Sequence, residues 1–160
     1  MEEQPRFAAD RMLGRLARWL RLLGFDALHR KELPGRRLLT LAAREGRVVL
    51  TRDRRLARVG ARVPVLVIAS DRFRDQLREV DRVYPLGGVR GRAPRCGDCN
   101  VAIESLDPAA VPASVPEYVR DTQSEFWRCP RCRRTFWAAT HRERMAAEVA
   151  ALSLRTPGAL

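Results

Sequence analysis

The apolar positions of the first 90 residues follow two alternating patterns. Short runs of strand-forming residues, typical of strands that are covered on both faces of a parallel sheet, lie at 6–10, 25–29, 48–50 and 63–69. Apolar residues at helical spacing lie between and after these runs, at 12–23, 36–45, 54–59 and 72–80. Gly24 and Gly46 are expected to end the first two helices, and residues 84–86 to form an edge strand. The alternation predicts an α/β fold whose mostly parallel sheet is flanked by helices.

Three aspartates directly follow predicted strands: Asp10, Asp53 and Asp71. Because open α/β sheets carry their chemistry at the carboxyl ends of the strands, we expect these carboxylates to lie along one edge. Carboxylate oxygens suit Mg²⁺ or Mn²⁺, ions that activate water and stabilise the charge developing on a phosphodiester. Each aspartate also has a simpler interpretation as a helix N-cap.

Asp26 and His29 belong to the predicted strand at 25–29 but are not candidates for catalysis. Asp26 lies at the beginning of the strand, at the opposite edge of the sheet from the other aspartates, and is interpreted as structural. His29 has no evident partner in the sequence, so a satisfied or exposed position is expected for it.

The charge of the chain favours a nucleic-acid partner. It has 31 basic and 19 acidic side chains, and Lys31 is its only lysine. Residues 1–90 contain 21 basic and 11 acidic side chains against 10 and 8 in residues 91–160, so the excess lies in the amino-terminal part. Arginine binds phosphate in a bidentate manner and stacks on bases. A GC-rich or thermophilic genome would produce the same arginine bias.

Arginines gather on the polar side of the first predicted helix and run away from Asp10 at helical spacing. This arrangement would suit a phosphate backbone entering the acidic site, and the alternative is a solvated charged face. Trp19, beside these arginines, is interpreted as a core residue, with a stacking surface for a base as the alternative. The phosphate-binding residues predicted in this part of the chain are Arg11, Arg15, Arg18, Arg52 and Arg54.

The carboxyl-terminal part contains two CxxC motifs, Cys96–Cys99 and Cys129–Cys132, which use all four cysteines of the chain. Each tight turn can present two thiolates to one tetrahedral Zn²⁺, so the spacing predicts a small zinc ribbon with a structural ion. Disulfides are not expected in a cytosolic chain. An iron centre or a redox switch is the alternative.

The segments around the cysteines supply further predictions. Residues 107–119 contain three prolines and are expected to form an extended loop. Around the second CxxC motif, aromatic and basic residues alternate, which suits single-stranded RNA; the basic candidates are Arg131, Arg133 and Arg134. The other interpretation is that the aromatics pack the ribbon against the rest of the protein, and it is preferred for at least two of them. His141 is expected to be a surface or substrate contact, and residues 143–154 to form a helix that docks on the body.

The strings DRMLGRLARWLRLLGFD, EGRVVLTRD and DQLREV, which begin at Asp10, Glu45 and Asp75, resemble the Mut-seven carboxyl-terminal RNase domain family. The resemblance covers about residues 6–145 and implies a PIN-like nuclease fold followed by a zinc ribbon. It also implies that Asp10 and Asp53 are catalytic acids and that Thr51 is the accompanying hydroxyl. Members of the family usually carry another acid before the second helix, where this chain has Leu-Pro-Gly-Arg at 33–36. Glu32 or Asp71 could take that place.

Two functions follow as hypotheses. The preferred one is a ribonuclease that depends on Mg²⁺ or Mn²⁺, held by Asp10, Asp53 and either Asp71 or Glu32; a toxin of a toxin–antitoxin pair is a variant of it. The alternative is a degenerate RNA- or ribosome-binding protein on the same scaffold. We expect a nuclease domain at 1–90 and a zinc-ribbon module with its helix at 91–160. No apolar run approaches the ~20 residues of a membrane span, and a secretion signal is not evident, so a cytoplasmic protein without membrane contact is expected.

Overall fold

The structure, a computed structural model, describes residues 4–60, 62–87, 93–137 and 147–155. Its first part contains β1 (Phe7–Ala9), α1 (Gly14–Leu22), β2 (Ala27–His29), α2 (Gly35–Glu45), β3 (Val48–Thr51), α3 (Arg54–Val59), β4 (Val65–Val67) and α4 (Phe73–Val83). Its second part contains β5 (Glu104–Leu106), a 3₁₀ turn (Pro108–Ala110), α5 (Glu117–Thr122), β6 (Phe126–Arg128) and β7 (Thr135–Trp137). Residues 147–152 form a further helix, α6. The predicted alternation of strands and helices is confirmed.

The first four strands form a parallel sheet in the order β2-β1-β3-β4. From β1 the chain passes through α1 to β2 on one side, and it then crosses through α2 to β3 on the other side of β1. The connections that follow the two central strands therefore run in opposite directions. The chain leaves β1 towards β2 at one edge of the sheet, and it leaves β3 towards β4 at the other edge. Such a switch point leaves a crevice at the carboxyl ends of the two central strands.

Helices cover both faces of this sheet because the strand side chains alternate between them. Phe7 and Ala9 of β1 face α1 and α4 in one fully buried cluster. Ala8 of the same strand faces the other way and packs with Leu38 of α2 and Leu56 of α3. Full burial of such apolar side chains contributes roughly 1.5–3 kcal/mol each, so the three layers account for most of the stabilisation of this part.

Two helices end where the sequence predicts. Gly24 has a φ of 89° and Gly46 a φ of 62°, a left-handed conformation that favours glycine over any residue with a Cβ atom. Among the described helices, none is both long and apolar enough to cross a membrane.

Two expectations about local structure are wrong. Residues 84–86 do not form an edge strand, because Pro85 has no N–H and the Leu86 N–H donates to the buried carboxylate of Asp81. The segment 107–119 is not wholly extended either. Its prolines begin short helical turns, since Pro108 opens the 3₁₀ turn and Pro116 is the N-cap of α5.

The second part has an antiparallel sheet in the order β5-β6-β7 and a small core of its own. Phe126 is buried against Val115 and Val119, and Trp137 packs on the same cluster. These two aromatics therefore stabilise the ribbon internally. The expectation that at least two aromatics pack the ribbon against the rest of the protein stays a prediction for Trp127 and Phe136.

The helix α6 docks on the first part, as predicted for the described residues of the segment 143–154. Leu152 is buried in the same core as Phe7, and Val149 and Leu154 pack against that core. Glu148 forms an ion pair with Arg74 of α4. The division at residue 90 stays a prediction, and the last helix completes the core of the first part.

Candidate active site and cysteine cluster

Asp10 follows β1 and is held by three donors. Its Oδ2 accepts hydrogen bonds from the Thr51 hydroxyl at 2.5 Å and from the Arg52 N–H at 3.0 Å, and its Oδ1 accepts from the Met12 N–H at 2.9 Å. The cap residue of α1 is Leu13 instead, without a side-chain hydrogen bond. The interpretation of Asp10 as a simple helix N-cap is therefore wrong. Its carboxylate ties the end of β1 to the end of β3.

Asp53 and Thr51 complete this connection on the other central strand. Thr51 is fully buried, and its hydroxyl accepts a hydrogen bond from the Asp53 N–H at 3.0 Å while it donates to Asp10. Asp53 is exposed and caps α3 by accepting from the Arg55 N–H at 2.8 Å. Thr51 thus positions both acidic residues relative to the switch point of the sheet.

A cavity of about 660 Å³ opens at this switch point. Four of the five predicted catalytic residues contribute to its wall: Asp10, Glu32, Thr51 and Asp53. Apolar side chains line it as well, among them Met12, which is 65% exposed. The structure thus brings together residues from the ends of β1, β2 and β3.

Asp71 is not brought to this cavity. It is exposed beyond β4, which is an edge strand one position farther from the switch point. The carboxylate that contacts the end of β4 is Glu79, which accepts hydrogen bonds from the Ala69 N–H at 2.7 Å and the Ser70 N–H at 2.9 Å. Glu79 comes from α4, so its contact with this loop could not be found from a search of strand ends.

Asp10, Glu32 and Asp53 contribute carboxylates to the wall of the cavity, and carboxylate oxygen is the ligand that hard divalent cations prefer. Within the described ranges, no group of three carboxylates brings its oxygens within 4.8 Å of one another. In enzymes that act on phosphate groups, such as kinases and polymerases, Mg²⁺ is commonly held by one or two carboxylates, water and substrate phosphates. The cavity offers three carboxylates for such a role, those of Asp10, Glu32 and Asp53.

Some of the arginines predicted to bind phosphate lie at the cavity, and others pack against groups of the protein. Arg11 and Arg52 line the cavity, and Arg54 is exposed at the beginning of α3. Arg15 instead lies over the ring of Phe73, 3.9 Å from its centroid. Arg18 packs along Gly97 of the first CxxC turn, and only 3.1 Å separates its Nε from the position that a Cβ on Gly97 would take.

Trp19 and His29 have structural surroundings. Trp19 is half-buried and stacks on Phe73 with 5.5 Å between the ring centroids. The ring of His29 lies against Gly14, where a Cβ would come within 2.9 Å of it, and its Nε2 is 3.4 Å from the Arg11 carbonyl oxygen. These contacts agree with the non-catalytic interpretation of His29. His141 lies outside the described residues.

The two CxxC turns have matching backbone geometry. In each, the residue after the second cysteine has a positive φ, 60° at Asn100 and 63° at Arg133, and its N–H donates to the carbonyl of the first cysteine at 3.0 Å. One candidate ligand atom from each of the four cysteines lies within 4.8 Å of the others. The Sγ atoms of Cys96 and Cys132 are 3.9 Å apart. Tetrahedral Zn²⁺ with Zn–S bonds of about 2.3 Å requires sulfur separations of about 3.8 Å, so this cluster could hold zinc.

The thiols of the cluster differ in acidity. Burial, followed by hydrogen bonding among the thiols, raises the pKa of Cys99 to about 12. The Arg134 N–H lowers the pKa of Cys132 to about 7. Four thiolates so close together repel one another, and a bound cation is what would let all of them ionise.

The first CxxC turn covers the amino end of the parallel sheet. Asn100 donates to Asp26 Oδ1 at 2.6 Å and accepts from the Ala27 N–H at 3.0 Å. The buried Arg21 of α1 donates to the Gly97 carbonyl at 2.6 Å. The sequence pattern placed Arg21 on a polar helix face and gave no sign of this contact. The CxxC turn is therefore fixed to the sheet by hydrogen bonds.

Asp26 is structural, as the sequence indicates. It accepts from Arg47 at 2.7 and 3.0 Å and from Arg6 at 3.1 Å, in addition to Asn100. Burial alone would raise the pKa of Asp26, but the hydrogen bonds from Arg47 and Asn100 outweigh it and lower the pKa to about 2. Asp26 is therefore ionised, and both of its carboxylate oxygens accept hydrogen bonds from neighbouring side chains.

The basic residues of the second CxxC turn are exposed. Arg134 forms an ion pair with Asp98 of the first turn, so it joins the two halves of the cysteine cluster. Arg131 and Arg133 remain candidates for phosphate contact.

The fold and these two sites define an α/β protein with an acidic cavity at its switch point and an attached four-cysteine module. Residues 5–149 match the family model described as the Mut7-C RNAse domain, and the chain belongs to that family. The resemblance seen in the sequence is thereby confirmed, and the family indicates a nuclease-like role. The chain matches no curated protein and no solved structure.

Proposed function

We propose that the protein is a ribonuclease that hydrolyses RNA phosphodiester bonds with Mg²⁺ or Mn²⁺ at the switch-point cavity. The observation that carries the proposal is the position of Asp10. In a chain of an RNase domain family, three donors orient its carboxylate at a cavity that Asp53 and Glu32 also line. A half-buried carboxylate that is oriented by hydrogen bonds at the carboxyl end of a strand is the usual arrangement of catalytic residues in open α/β sheets.

The chain's own residues have distinct roles in this proposal. Asp10 and Asp53 would hold the cation, with Glu32 as the third carboxylate that lines the cavity. Asp71 is the weaker candidate because it does not line the cavity. Thr51 is a positioning residue, since its hydroxyl contacts Asp10 and the Asp53 N–H. When bound, Mg²⁺ or Mn²⁺ would stabilise the charge that develops on the phosphodiester and activate water.

Cations around the cavity would bind the substrate. Arg11, Lys31 and Arg52 line it beside the acids and would contact the phosphates on either side of the reacting bond. Met12 and Leu33 offer apolar surface to ribose or base. Hydrolysis joins a water oxygen to phosphorus and breaks one phosphorus–oxygen bond to ribose, whose oxygen leaves with a proton.

We further propose that the four cysteines hold one structural Zn²⁺. The close sulfur atoms and the matched turns support a tetrahedral site. The ion would stabilise a module whose own core consists of only a few side chains.

A second function is favoured by one observation. The described residues contain no group of three convergent carboxylates, and the segment 33–36 lacks the acid that the family usually carries there. A protein that binds RNA without cleaving it would fit this loss. Cleavage assays separate the two functions.

The test is cleavage of labelled single-stranded RNA by zinc-loaded protein with Mn²⁺ or Mg²⁺, beside Asp10→Asn and Asp53→Asn. Each variant should lower the rate about 10²–10³-fold, because it removes a carboxylate that acts on the reacting group. Asp75→Asn is the matched control, since Asp75 pairs with Arg78 on α4 outside the cavity.

Folding must be measured in parallel. Both oxygens of Asp10 accept from backbone N–H groups, so an amide there loses one such bond and costs about 1–2 kcal/mol. Equal cleavage by wild type and folded variants, or cleavage that persists in EDTA, would refute the proposal. Binding of RNA without cleavage would favour the second function.

A further inference from the structure

A groove of about 250 Å³ runs along the exposed side of α2, beside the acidic cavity. Its lining residues are Arg30, Leu33, Arg37, Thr40, Leu41 and Arg44. Leu33 lines both the groove and the cavity, so the two concave surfaces are neighbours. We call this surface the α2 groove.

The α2 groove has three guanidinium groups that no carboxylate of the described residues neutralises. Arg30, Arg37 and Arg44 are all exposed. On α1, by contrast, Arg15 lies over an aromatic ring and Arg21 is buried against the first CxxC turn. In addition to the cations that line the cavity itself, α2 therefore carries exposed arginines beside it, whereas Arg15 and Arg21 of α1 already contact other groups of the protein.

The spacing of these cations suits a polyanion. Arg37 and Arg44 are two turns apart on one helix, which places them about 10 Å apart along the axis at roughly 1.5 Å per residue. That distance corresponds to about three nucleotides of a stacked strand, at about 3.4 Å per nucleotide. Leu33 and Leu41 lie among the cations and provide apolar surface for ribose and base edges.

We propose that the α2 groove binds the phosphate backbone of single-stranded RNA, several nucleotides to one side of the bond that lies in the acidic cavity. The inference rests on the proposed function for the identity of the ligand, since the family indicates RNA. It adds a substrate-binding surface of three arginines outside the cavity. The groove would make the protein prefer RNA long enough to reach from the cavity to Arg44.

The test is the binding of 5′-labelled single-stranded RNA, measured by fluorescence anisotropy in EDTA so that no cleavage occurs. The variant is Arg37→Gln with Arg44→Gln. The matched control is Arg78→Gln with Arg82→Gln, which removes the same charge from α4 on the opposite face of the sheet. Circular dichroism and thermal unfolding verify that both variants are folded.

Loss of two phosphate contacts should make the plot of log association constant against log salt concentration less steep, by about 1.4 units of slope. It should also weaken binding of a 12-nucleotide RNA about 5- to 30-fold at 0.1 M salt. The control pair should change the affinity less than about twofold, because cations far from the strand are screened. If the groove variant and the control variant bind the RNA with equal affinity, the proposal is refuted. An acidic protein or peptide then becomes the candidate ligand of the α2 groove.

A cleavage experiment separates this inference from the proposed function. A four-nucleotide RNA that occupies only the cavity should be cleaved equally by wild type and the groove variant. For the 12-nucleotide RNA, the KM of the groove variant should be higher than that of wild type. A lower kcat on the short RNA would refute the inference, because the arginines would then act in the cavity. If wild type cleaves neither RNA, the proposed function fails while the binding result still decides the role of the groove.

Discussion

At the amino end of the parallel sheet, Asp26 accepts hydrogen bonds from two arginines and an asparagine and is covered by the first CxxC turn. At the carboxyl end, Asp53 is exposed to solvent, and Asp10 is oriented by three donors but still lines a cavity. Both ends combine aspartate with nearby arginine. They differ in whether the cations already engage the carboxylates within the protein.

This difference shows how a structural aspartate can be distinguished from a candidate catalytic one. The buried network at Asp26 uses its charges to hold the fold, so its carboxylate has little capacity left for a ligand. The donors to Asp10 are a hydroxyl and backbone N–H groups, which orient the carboxylate without cancelling its negative charge. The carboxyl end therefore keeps an attraction for cations that the amino end has lost.

Removal of zinc should cause the largest loss of stability, and the loss should occur at the amino end of the parallel sheet. Structural zinc sites have apparent binding free energies of about 10 kcal/mol or more, so chelation should unfold the cysteine module. Hydrogen exchange should accelerate in β5–β7 and around Asp26 and Asn100, with much smaller changes at the carboxyl ends of β1 and β3. Metal analysis should give one zinc per chain before chelation. Unchanged protection in β5–β7 after metal loss would contradict a structural role for the ion.

Asp26→Ala should lower the free energy of unfolding by about 3 kcal/mol, because it leaves the buried guanidinium of Arg47 without its main partner. Urea unfolding measures this change, with Asp75→Ala of an exposed ion pair as a control that should show little loss. Any cleavage activity of the folded fraction should stay near that of wild type, since Asp26 is at the opposite end of the sheet from the cavity. A large stability loss in Asp10→Asn and none in Asp26→Ala would reverse the comparison.

Acid should first destabilise the amino end of the parallel sheet, where Asp26 lies. The pKa of Asp26 is lowered from 3.8 to about 2 in the folded state, so its contribution is complete above pH 4 and disappears as the pH falls towards 2. This contribution amounts to about 2 kcal/mol at about 1.4 kcal/mol per pKa unit. Urea unfolding between pH 5 and pH 2 should show the loss, and Asp26→Asn should reduce the pH dependence by a similar amount. Identical pH dependence in wild type and this variant would show that other carboxyl groups carry the effect.

The sequence predicted the strands and helices of the first part well because apolar periodicity and terminal glycines are local properties. It also predicted that Asp10 and Asp53 would directly follow strands, and the structure showed that these two strands are the central ones. It failed at residues 84–86 and 107–119, where the backbone N–H of Leu86 bonds to a distant side chain and prolines begin helices. The internal packing of Phe126 in the ribbon was likewise a property of tertiary structure.

The sequence by itself determined the α/β pattern, the family, the four-cysteine cluster and the two acids at strand ends, since each depends on residue type and spacing along the chain. Only the tertiary structure decided which charges are engaged. It brought Asn100 and Arg47 to Asp26, joined Thr51 to Asp10, and left the arginines of α2 open beside the cavity. The physical reason is that the role of a charged side chain depends on its partners and its burial, and both are set by contacts between residues far apart in sequence.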